Sequence, residues 1–139
     1  MIILDTNVVS EPMKPTPDPR VDAWLNDQLA ETMFFTSVGL AELLVGMELL
    51  PDGKRKSTLL AKVDRITNVL FADRVLPFDN SAAIKMAQIN KVALSVGYNV
   101  TFADGQIAAI AALHGFSVAT RDEAPFRAMG LTVINPWGV

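Results

Sequence analysis

Short apolar segments that alternate with helix-length segments constrain the fold more than any other feature of this sequence. Each short segment has the length and composition of a buried strand, and apolar residues recur at helical spacing in the longer segments between them. The predicted strands cover residues 1–4, 33–36, 75–76, 116–119 and 131–134. Because strands alternate with helices of about ten residues or more, the sequence predicts an α/β fold with a mainly parallel sheet.

Capping residues mark the starts of several predicted helices. Asp18 before a proline is a favourable helix start, and Ser37, Asp79 and Thr101 hold the same capping position before later apolar stretches. The predicted helices cover residues 19–29, 38–50, 54–70, 80–96, 101–114 and 123–129. The prolines before the first of these helices predict an extended loop. No linker, repeat or low-complexity stretch divides the chain, so we expect one domain over residues 1–139.

Composition excludes several classes of protein. Half of the 139 residues are hydrophobic, and the longest strictly apolar run, residues 107–113, is far below the roughly 18 residues that span a bilayer. No basic leader precedes Asp5, so we expect a cytoplasmic protein. The absence of cysteine rules out zinc–thiolate sites and cysteine nucleophiles. The single histidine, His114, rules out mechanisms that need two imidazoles, and its place before a glycine suits a helix end.

Net charge limits how the chain could meet nucleic acid. A formal charge of −3 argues against a protein that coats nucleic acid with a broad basic face, but an enzyme with clustered acidic metal ligands would be acidic too. The basic run Lys54, Arg55 and Lys56 either contacts phosphates or is a solvated helix start. Gly46, Gly53 and Lys54 only faintly resemble a phosphate-binding loop, because six residues separate the two glycines where such a loop has four. In addition, Arg55 replaces the serine or threonine that the loop requires.

Two aspartates follow predicted strands at their carboxyl ends. Asp5 comes directly after the first strand, and Asp122 lies three residues past the strand at 116–119. In open α/β sheets, ligands bind in the crevice outside the carboxyl ends of the strands. Both acids therefore reach one crevice if the two strands are neighbours. Taken singly, each is also explained as an ordinary turn or capping aspartate.

Two further acids lie on helices that are otherwise apolar. Glu42 shares a helical stripe with Val38 and Val45. Its carboxylate either reaches solvent at the rim of that helix or is buried, which costs several kcal/mol without a compensating cation or donor. Asp104 has the spacing of a capping box with the threonine three residues before it, although the neighbouring Gly105 also suits the close approach of a ligand.

These four acids can converge only if something positive lies between them. Four carboxylates within a few ångströms would repel, raise one another's pKa and destabilise the fold. A hard divalent cation resolves this conflict, and oxygen-only ligands select Mg²⁺ or Mn²⁺ over zinc. The nearest basic alternative is Arg121, beside Asp122, for which a surface salt bridge is the ordinary role.

Four short motifs occur in order along the chain: Asp5-Thr6-Asn7 after a strand, Ala41-Glu42-Leu43 in an early helix, Ala103-Asp104 at the start of a late helix, and Thr120-Arg121-Asp122 after a strand. Together they resemble the PIN-domain ribonucleases, and more narrowly the toxins of the VapC type, including the FitB-like branch. The resemblance covers essentially the whole chain, including Asn135-Pro136-Trp137 near its end.

The resemblance implies a three-layer α/β/α fold around a parallel sheet of about five strands, with an acidic site that binds Mg²⁺, or Mn²⁺ in its place, and cuts RNA. It implies metal-binding and catalytic roles for Asp5, Glu42, Asp104 and Asp122, and supporting polar roles for Thr6, Asn7 and Thr120. Toxins of this type are usually homodimers that a cognate antitoxin silences. Toxin and antitoxin then form a larger hetero-oligomer, in which the antitoxin binds operator DNA.

These expectations combine in a Mg²⁺-dependent endoribonuclease toxin that cleaves single-stranded or structured RNA with a metal-activated water. Such hydrolysis leaves a 5′-phosphate and a 3′-hydroxyl, and it does not need the 2′-hydroxyl. The alternative is a non-catalytic PIN-like binding module. Its acidic pocket would only receive a basic partner segment, and the chain would act as an antitoxin-bound corepressor or scaffold.

Overall fold

Five parallel strands form one sheet at the centre of the computed structural model, which describes residues 1–138. The strands are β1 (Ile2–Leu4), β2 (Met33–Thr36), β3 (Val75–Leu76), β4 (Ser117–Ala119) and β5 (Val133–Ile134). Their order in the sheet is β3-β2-β1-β4-β5. The predicted parallel α/β architecture is confirmed, and β1 and β4 are neighbours, as a common crevice at their carboxyl ends requires.

Seven α-helices connect the strands within residues 1–138. They are α1 (Thr6–Ser10), α2 (Pro19–Asn26), α3 (Ser37–Glu48), α4 (Lys54–Arg65), α5 (Asn80–Ser95), α6 (Phe102–His114) and α7 (Glu123–Ala128). The connections also contain 3₁₀ turns at Glu11–Met13, Ala30–Thr32 and Ala72–Arg74, and a π-helical segment at Ile66–Phe71. None of the helices in this part of the chain is both long and apolar enough to cross a membrane.

Two apolar clusters fill the space between the sheet and the helices. On the neighbouring strands β1 and β4, Ile3 and Val118 belong to one cluster, and Leu4 and Ala119 belong to the other. Because consecutive side chains of a strand point to opposite faces, the two clusters lie on opposite sides of the sheet. Helices α5 to α7 contribute buried residues to the first cluster, and α1 to α4 contribute to the second. This division gives the predicted three layers.

The segment after β1 is helical, whereas the sequence predicts no helix before residue 19. Asp5 accepts a hydrogen bond from the Thr6 backbone N–H at 2.8 Å and caps α1, in which Val8 and Val9 are buried. A five-residue helix is too short to show a helical repeat in the sequence, and its burial against the core stabilises it. Helix α1 is therefore absent from the sequence prediction, whereas the predicted proline-rich loop is non-helical over residues 14–18, after the 3₁₀ turn at Glu11–Met13.

Most of the predicted helix starts are confirmed, and one cap is different. The side chains that cap α2, α5 and α6 are those predicted: Asp18, Asp79 and Thr101. For α3, however, Thr36 Oγ1 accepts from the Gly39 N–H, so Thr36 is the cap. Ser37 Oγ instead accepts from the Phe78 N–H. Gly39 is required there, since a Cβ would lie 2.5 Å from the ring of the buried Phe35.

The third predicted helix is shorter than expected. Helix α4 ends at Arg65 rather than at residue 70, because the backbone becomes π-helical over Ile66–Phe71. Ala72 then adopts a positive φ of 49°, which reverses the chain toward β3. The other predicted boundaries differ from the observed ones by three residues or fewer. His114 ends α6 as predicted.

Candidate active site

Asp5 is the buried centre of a crevice at the carboxyl ends of β1 and β4. Its backbone N–H donates to the Ala119 carbonyl at 2.9 Å, which continues the pairing of the two strands. The residue is only 6% exposed. Asp5 Oδ1 accepts from the Thr6 N–H at 2.8 Å, and Oδ2 accepts from the Thr120 hydroxyl at 2.7 Å. Asp5 therefore lies at the predicted sheet edge, with its carboxylate held in one orientation.

Asn7 and Thr120 connect the two strand ends. Asn7 Nδ2 donates to Asp5 Oδ2 and to Thr120 Oγ1, both at 3.2 Å. Asn7 Oδ1 accepts from the Arg121 N–H at 3.3 Å, and Thr120 Oγ1 accepts from the Asp122 N–H at 3.0 Å. Thr120 is fully buried, so its hydrogen bonds are shielded from water. The network fixes Asp5 and also the turn that carries Asp122.

Glu42 lies at the rim of the crevice, on α3. It is exposed, whereas the next residue, Leu43, is buried. Of the two placements that its helix allows, the structure therefore has the rim rather than the core. Thr6 Oγ1 donates to Glu42 Oε1 at 2.8 Å, and this bond joins α3 to α1 beside Asp5. Thr6 is thus the side chain that orients Glu42.

Asp104 lies half-buried in the first turn of α6. The Thr101 hydroxyl accepts from the Asp104 N–H at 3.3 Å, as the capping spacing predicts. Gly105 does not leave room for a ligand: a Cβ there would lie 2.9 Å from Met86 Cε and 3.2 Å from Asn90 Oδ1. Its role is to let α5 pack closely against α6. The interpretation of Gly105 as a site of ligand approach is therefore wrong.

Burial and nearby charges shift the pKa of Asp5 upward. Burial is the largest cause and raises the pKa of this carboxyl to about 6, although the hydrogen bonds from Thr120 and Thr6 lower it. The negative charges of Asp104 and Glu42 raise it further. Asp5 is therefore an acid that the folded protein holds in an unfavourable state when it is ionised.

Asp104 interacts electrostatically with a further acid, Asp122. Burial raises its pKa, the hydrogen bond with Thr101 lowers it, and the charge of Asp122 raises it. Electrostatic coupling thus joins Asp5 to Asp104 and Glu42, and Asp104 to Asp122. The structure brings the four predicted acids together as a series of interacting pairs.

Basic side chains of the described residues do not pair with these acids. Within residues 1–138, none of the four forms an ion pair with a Lys, Arg or His within 4 Å. In the same residues, no three His, Asp or Glu side chains are arranged so that they could hold a metal ion between them. The acids are therefore not a closed cage. The set fits Mg²⁺, which proteins commonly bind through one or two carboxylates while the ion keeps several waters.

A pocket of about 320 Å³ opens beside the acids. Its walls include Tyr98, Asp104, Arg121 and Asp122. The guanidinium carbon of Arg121 lies 5.1 Å from the ring centroid of Trp137, so Arg121 makes a cation–π contact rather than a salt bridge with Asp122. Sequence reasoning missed Tyr98, because a single tyrosine between two helices belongs to no motif. It also missed the partner of Arg121, because that contact joins distant parts of the chain.

The basic run at the start of α4 does not act as a unit. Lys56 Nζ donates to the Glu48 carbonyl at 3.0 Å and lies 3.3 Å from an Asp52 carboxylate oxygen, so Lys56 holds the end of α3. Lys54 and Arg55 are exposed. For these two residues, both alternatives, contact with phosphates and a solvated helix start, stay open.

Comparison with known proteins identifies the family to which this arrangement belongs. Residues 2–130 match the family model of the PIN domain. The chain belongs to the PIN-domain family. This PIN domain is 44% identical over 137 residues to Toxin FitB of Neisseria gonorrhoeae, and the match covers 99% of each chain. It is also 44% identical over 137 residues to VapC ribonuclease Y4jK of Sinorhizobium fredii, across 99% of this chain and 98% of that protein.

A solved structure supports the same assignment at the level of the backbone. The PIN domain is similar to the structure of FitAB bound to an IR36 DNA fragment, with a TM-score of 0.96 and 43% identity. The likeness covers 100% of this chain and 97% of that one. The predicted resemblance to VapC-type toxins of the FitB-like branch is confirmed, and so is the three-layer PIN-like fold.

Proposed function

We propose that this PIN domain is a Mg²⁺-dependent endoribonuclease toxin that cleaves single-stranded or structured RNA and is neutralised by a cognate antitoxin. The observation that carries the proposal is the state of Asp5. Burial raises the pKa of its carboxyl, the charges of Asp104 and Glu42 raise it further, and hydrogen bonds from Thr120 and Asn7 hold the group in place. A site that stores such repulsion favours a positively charged ligand and is typical of catalytic centres.

The names of the relatives support the toxin and ribonuclease parts of the proposal. One relative is named a toxin and another a VapC ribonuclease, and each is matched over nearly its whole length. The chain has the oxygen donors that hydrolysis of a phosphodiester by a bound metal requires. We therefore assign the same activity to this chain.

We propose that one or two carboxylates bind the metal directly, that the others act through its waters, and that four in all carry the reaction: Asp5, Glu42, Asp104 and Asp122. A bound divalent cation supplies an activated water and neutralises charge on the scissile phosphate. Mn²⁺ would serve in place of Mg²⁺, since both accept oxygen ligands. Asp5 is the fixed member, because three hydrogen bonds hold its carboxylate before substrate arrives. Glu42 and Asp122 are exposed and can adjust to the substrate.

Thr6, Asn7 and Thr120 position the acids without reacting themselves. Thr120 and Asn7 both donate to the same oxygen of Asp5, and Thr6 donates to Glu42. The Thr120 bond lowers the pKa of Asp5, because a hydrogen bond to a carboxylate stabilises its charge. Hydrolysis in this site should leave a 5′-phosphate and a 3′-hydroxyl.

The partners follow from the toxin assignment. We propose a cytoplasmic homodimer that a cognate antitoxin binds, with operator DNA contacted only through the antitoxin in a larger hetero-oligomer. The acidic crevice suits a basic side chain of that antitoxin. A separate apolar pocket of about 390 Å³, bordered by the basic residues Lys62, Arg65 and Arg74, offers its chain a surface to pack on.

The test is RNA cleavage by purified protein that has been freed of its partner. We expect wild-type protein to degrade a labelled single-stranded RNA with Mg²⁺ or Mn²⁺, and EDTA to stop the reaction. Asp5→Asn should lower the rate by about a hundredfold, the scale on which loss of metal support acts. Asp73→Asn is the matched control, because Asp73 is exposed in a turn, and it should retain full activity.

Other results would contradict the proposal. Cleavage that persists equally in Asp5→Asn and in EDTA would come from a contaminating nuclease. If no RNA is cleaved by a folded, partner-free protein, the chain is instead the non-catalytic module, whose acidic pocket receives a basic segment. The observation that favours this second function is that no three of the described acidic and histidine side chains are arranged to hold a metal.

A further inference from the structure

We propose that the pocket between Tyr98 and Arg121 binds the nucleotide next to the scissile phosphate of a single-stranded RNA. In this subsite the Arg121 guanidinium contacts a phosphate and the Tyr98 ring stacks on the base. The inference rests on the proposed ribonuclease function and adds a substrate-binding site to it. The pocket, about 320 Å³ in volume, shares Asp104 and Asp122 with the proposed catalytic acids, so its occupant lies directly beside them.

Arg121 is held in a position from which it can contact an anion. Its backbone N–H donates to Asn7 Oδ1, and its guanidinium carbon lies 5.1 Å from the Trp137 ring centroid. Among the described residues Arg121 has no ion-pair partner within 4 Å, although Asp104 and Asp122 line the same pocket. A guanidinium that stacks on a ring keeps the N–H donors in its plane available. Arg121 therefore retains its donors for a phosphate.

Tyr98 supplies an aromatic wall to the pocket. Its backbone N–H donates to the Ala93 carbonyl at 2.9 Å, and its half-buried side chain packs against the apolar cluster formed by α5 to α7. A ring that is anchored in this way and also lines a pocket is a platform on which a base can stack. Recognition of single-stranded RNA relies on such rings and on arginine planes.

One arginine reduces the repulsion between this acidic pocket and an RNA strand. Asp104, Asp122 and Glu123 line the pocket and repel a phosphate, although Glu123 is paired with Arg127 at 2.6 Å, and the molecule as a whole carries a formal charge of −3. Arg121 is the basic side chain among the described residues that line this pocket, so it offsets the repulsion where the strand must approach. Its removal should affect RNA binding more than the removal of a distant arginine.

The test measures RNA binding separately from cleavage. A labelled single-stranded oligoribonucleotide is titrated, by fluorescence anisotropy, with Asp5→Asn protein that leaves it intact. We expect Arg121→Gln to raise the Kd about tenfold and to reduce the slope of log Kd against log salt by about 0.7, the value for one phosphate contact on a single strand. Arg20→Gln, which removes an exposed arginine at the start of α2, is the matched control and should change neither quantity.

Three more variants separate the parts of the subsite. Arg121→Lys keeps the charge, so we expect it to retain the salt slope while losing part of the affinity. Tyr98→Ala should raise the Kd about tenfold, as loss of a stacked base does, and Tyr98→Phe should behave as the parent. The thermal unfolding midpoint of each variant checks that a weaker interaction is not partial unfolding.

The outcomes distinguish this inference from the function on which it rests. Unchanged Kd and salt slope in Arg121→Gln, with cleavage lost only in Asp5→Asn, would overturn the subsite and leave the ribonuclease intact. Normal RNA binding without cleavage by the wild-type protein would contradict the function and leave the subsite. An Arg121→Gln variant that binds a basic antitoxin peptide more tightly, but RNA equally well, would assign the pocket to the antitoxin and overturn the proposal. Absence of any RNA binding would overturn both.

Discussion

Two buried carboxylates close together in the chain have opposite electrostatic environments. Asp5 is 6% exposed and Glu11 is 3% exposed. Glu11 Oε2 lies 2.7 Å from Lys14 Nζ, and Oε1 accepts from the Asp18 N–H at 2.9 Å, so the pKa of Glu11 falls below its usual value. Asp5 has hydrogen-bond donors but no cation, and burial raises its pKa to about 6.

The contrast separates an acid whose charge the fold balances from an acid that we propose to be catalytic. Glu11 connects the 3₁₀ turn after α1 to the start of α2, and Lys14 balances its charge within the fold. Asp5 has an equally buried charge that two further acids, Asp104 and Glu42, oppose. Burial alone therefore does not identify a catalytic carboxylate. The useful signal is a buried acid with well-placed hydrogen bonds and no positive partner.

The largest expected effect is on Asp5. Its pKa is about 6 in the folded protein against an ordinary value of 3.8, so the folded state favours the protonated form and wild-type stability falls as the pH rises through this window. Asp5→Asn removes that penalty. We compare the free energy of unfolding of Asp5→Asn with that of wild type in EDTA. The value for the variant minus the value for wild type should be about 2–3 kcal/mol larger at pH 8 than at pH 4. Urea unfolding at both pH values measures the difference.

A control tests whether this effect belongs to Asp5. Asp73→Asn changes an exposed aspartate, and its stability relative to wild type should be the same at both pH values. If the stability of Asp5→Asn relative to wild type is also the same at pH 8 and pH 4, the fold does not raise the pKa of Asp5. The contrast with Glu11 would then disappear.

The next effect concerns the partner of Glu11. Lys14→Met should destabilise the protein by about 2 kcal/mol at neutral pH, because Glu11 Oε2 has no other partner among the described residues. Since the pKa of Glu11 is lowered, its stabilising contribution is present above its ordinary pKa of 4.5 and is lost as the pH falls. The difference between variant and wild type should therefore shrink in acid. Denaturant titrations at pH 7 and pH 3.5 provide the measurement.

Cleavage by the Lys14 variant should stay near the wild-type rate per folded molecule, because the pair is structural. Lys91→Met, at an exposed lysine on α5, is a matched control and should change neither stability nor activity. A large loss of activity in folded Lys14→Met protein would place Glu11 in the catalytic site and erase the distinction.

The smallest of the three effects comes from Thr120. Thr120→Val keeps the side-chain shape but removes the hydroxyl that donates to Asp5 at 2.7 Å. Because that bond lowers the pKa of Asp5, its loss should raise the pKa and shift the acid limb of the pH–rate profile to higher pH. We expect about a tenfold slower reaction, as for loss of a residue that orients a ligand. Thr120→Ser, which keeps the hydroxyl, should have the wild-type rate and pH–rate profile. An unshifted profile in Thr120→Val would show that loss of the hydrogen bond to Asp5 does not cause the slower reaction.

The sheet edge could be predicted from sequence because its signals are local. An acid that directly follows an apolar strand stands at a carboxyl end, and this placed Asp5 and Asp122 correctly once β1 and β4 were neighbours. The capping role of Thr101 before Asp104 was equally local. These features depend on residues within a few positions of one another, where propensity and spacing carry the information.

Other features could not be predicted because they depend on long-range packing. Glu11 looks like any acid before a proline until the fold buries it beside Lys14. Gly105 was interpreted through its neighbour Asp104, whereas the contact that requires it comes from Met86 on another helix. Tyr98 lines the acidic pocket only because α5 and α6 are packed together. Helix α1 is too short for a periodic signal.

The position of β1 in the sheet has a consequence for how the site forms. The first strand of the chain is the central one, and Asp5 and Asn7 meet Thr120 only when β4 has paired with β1. The hydrogen bonds that Thr120 makes with Asn7 and Asp5 join residues 113 and 115 positions apart. Contacts of such high sequence separation form late and slowly. During synthesis the emerging chain thus lacks the hydrogen bond between Thr120 and Asp5 until most of its length has left the ribosome.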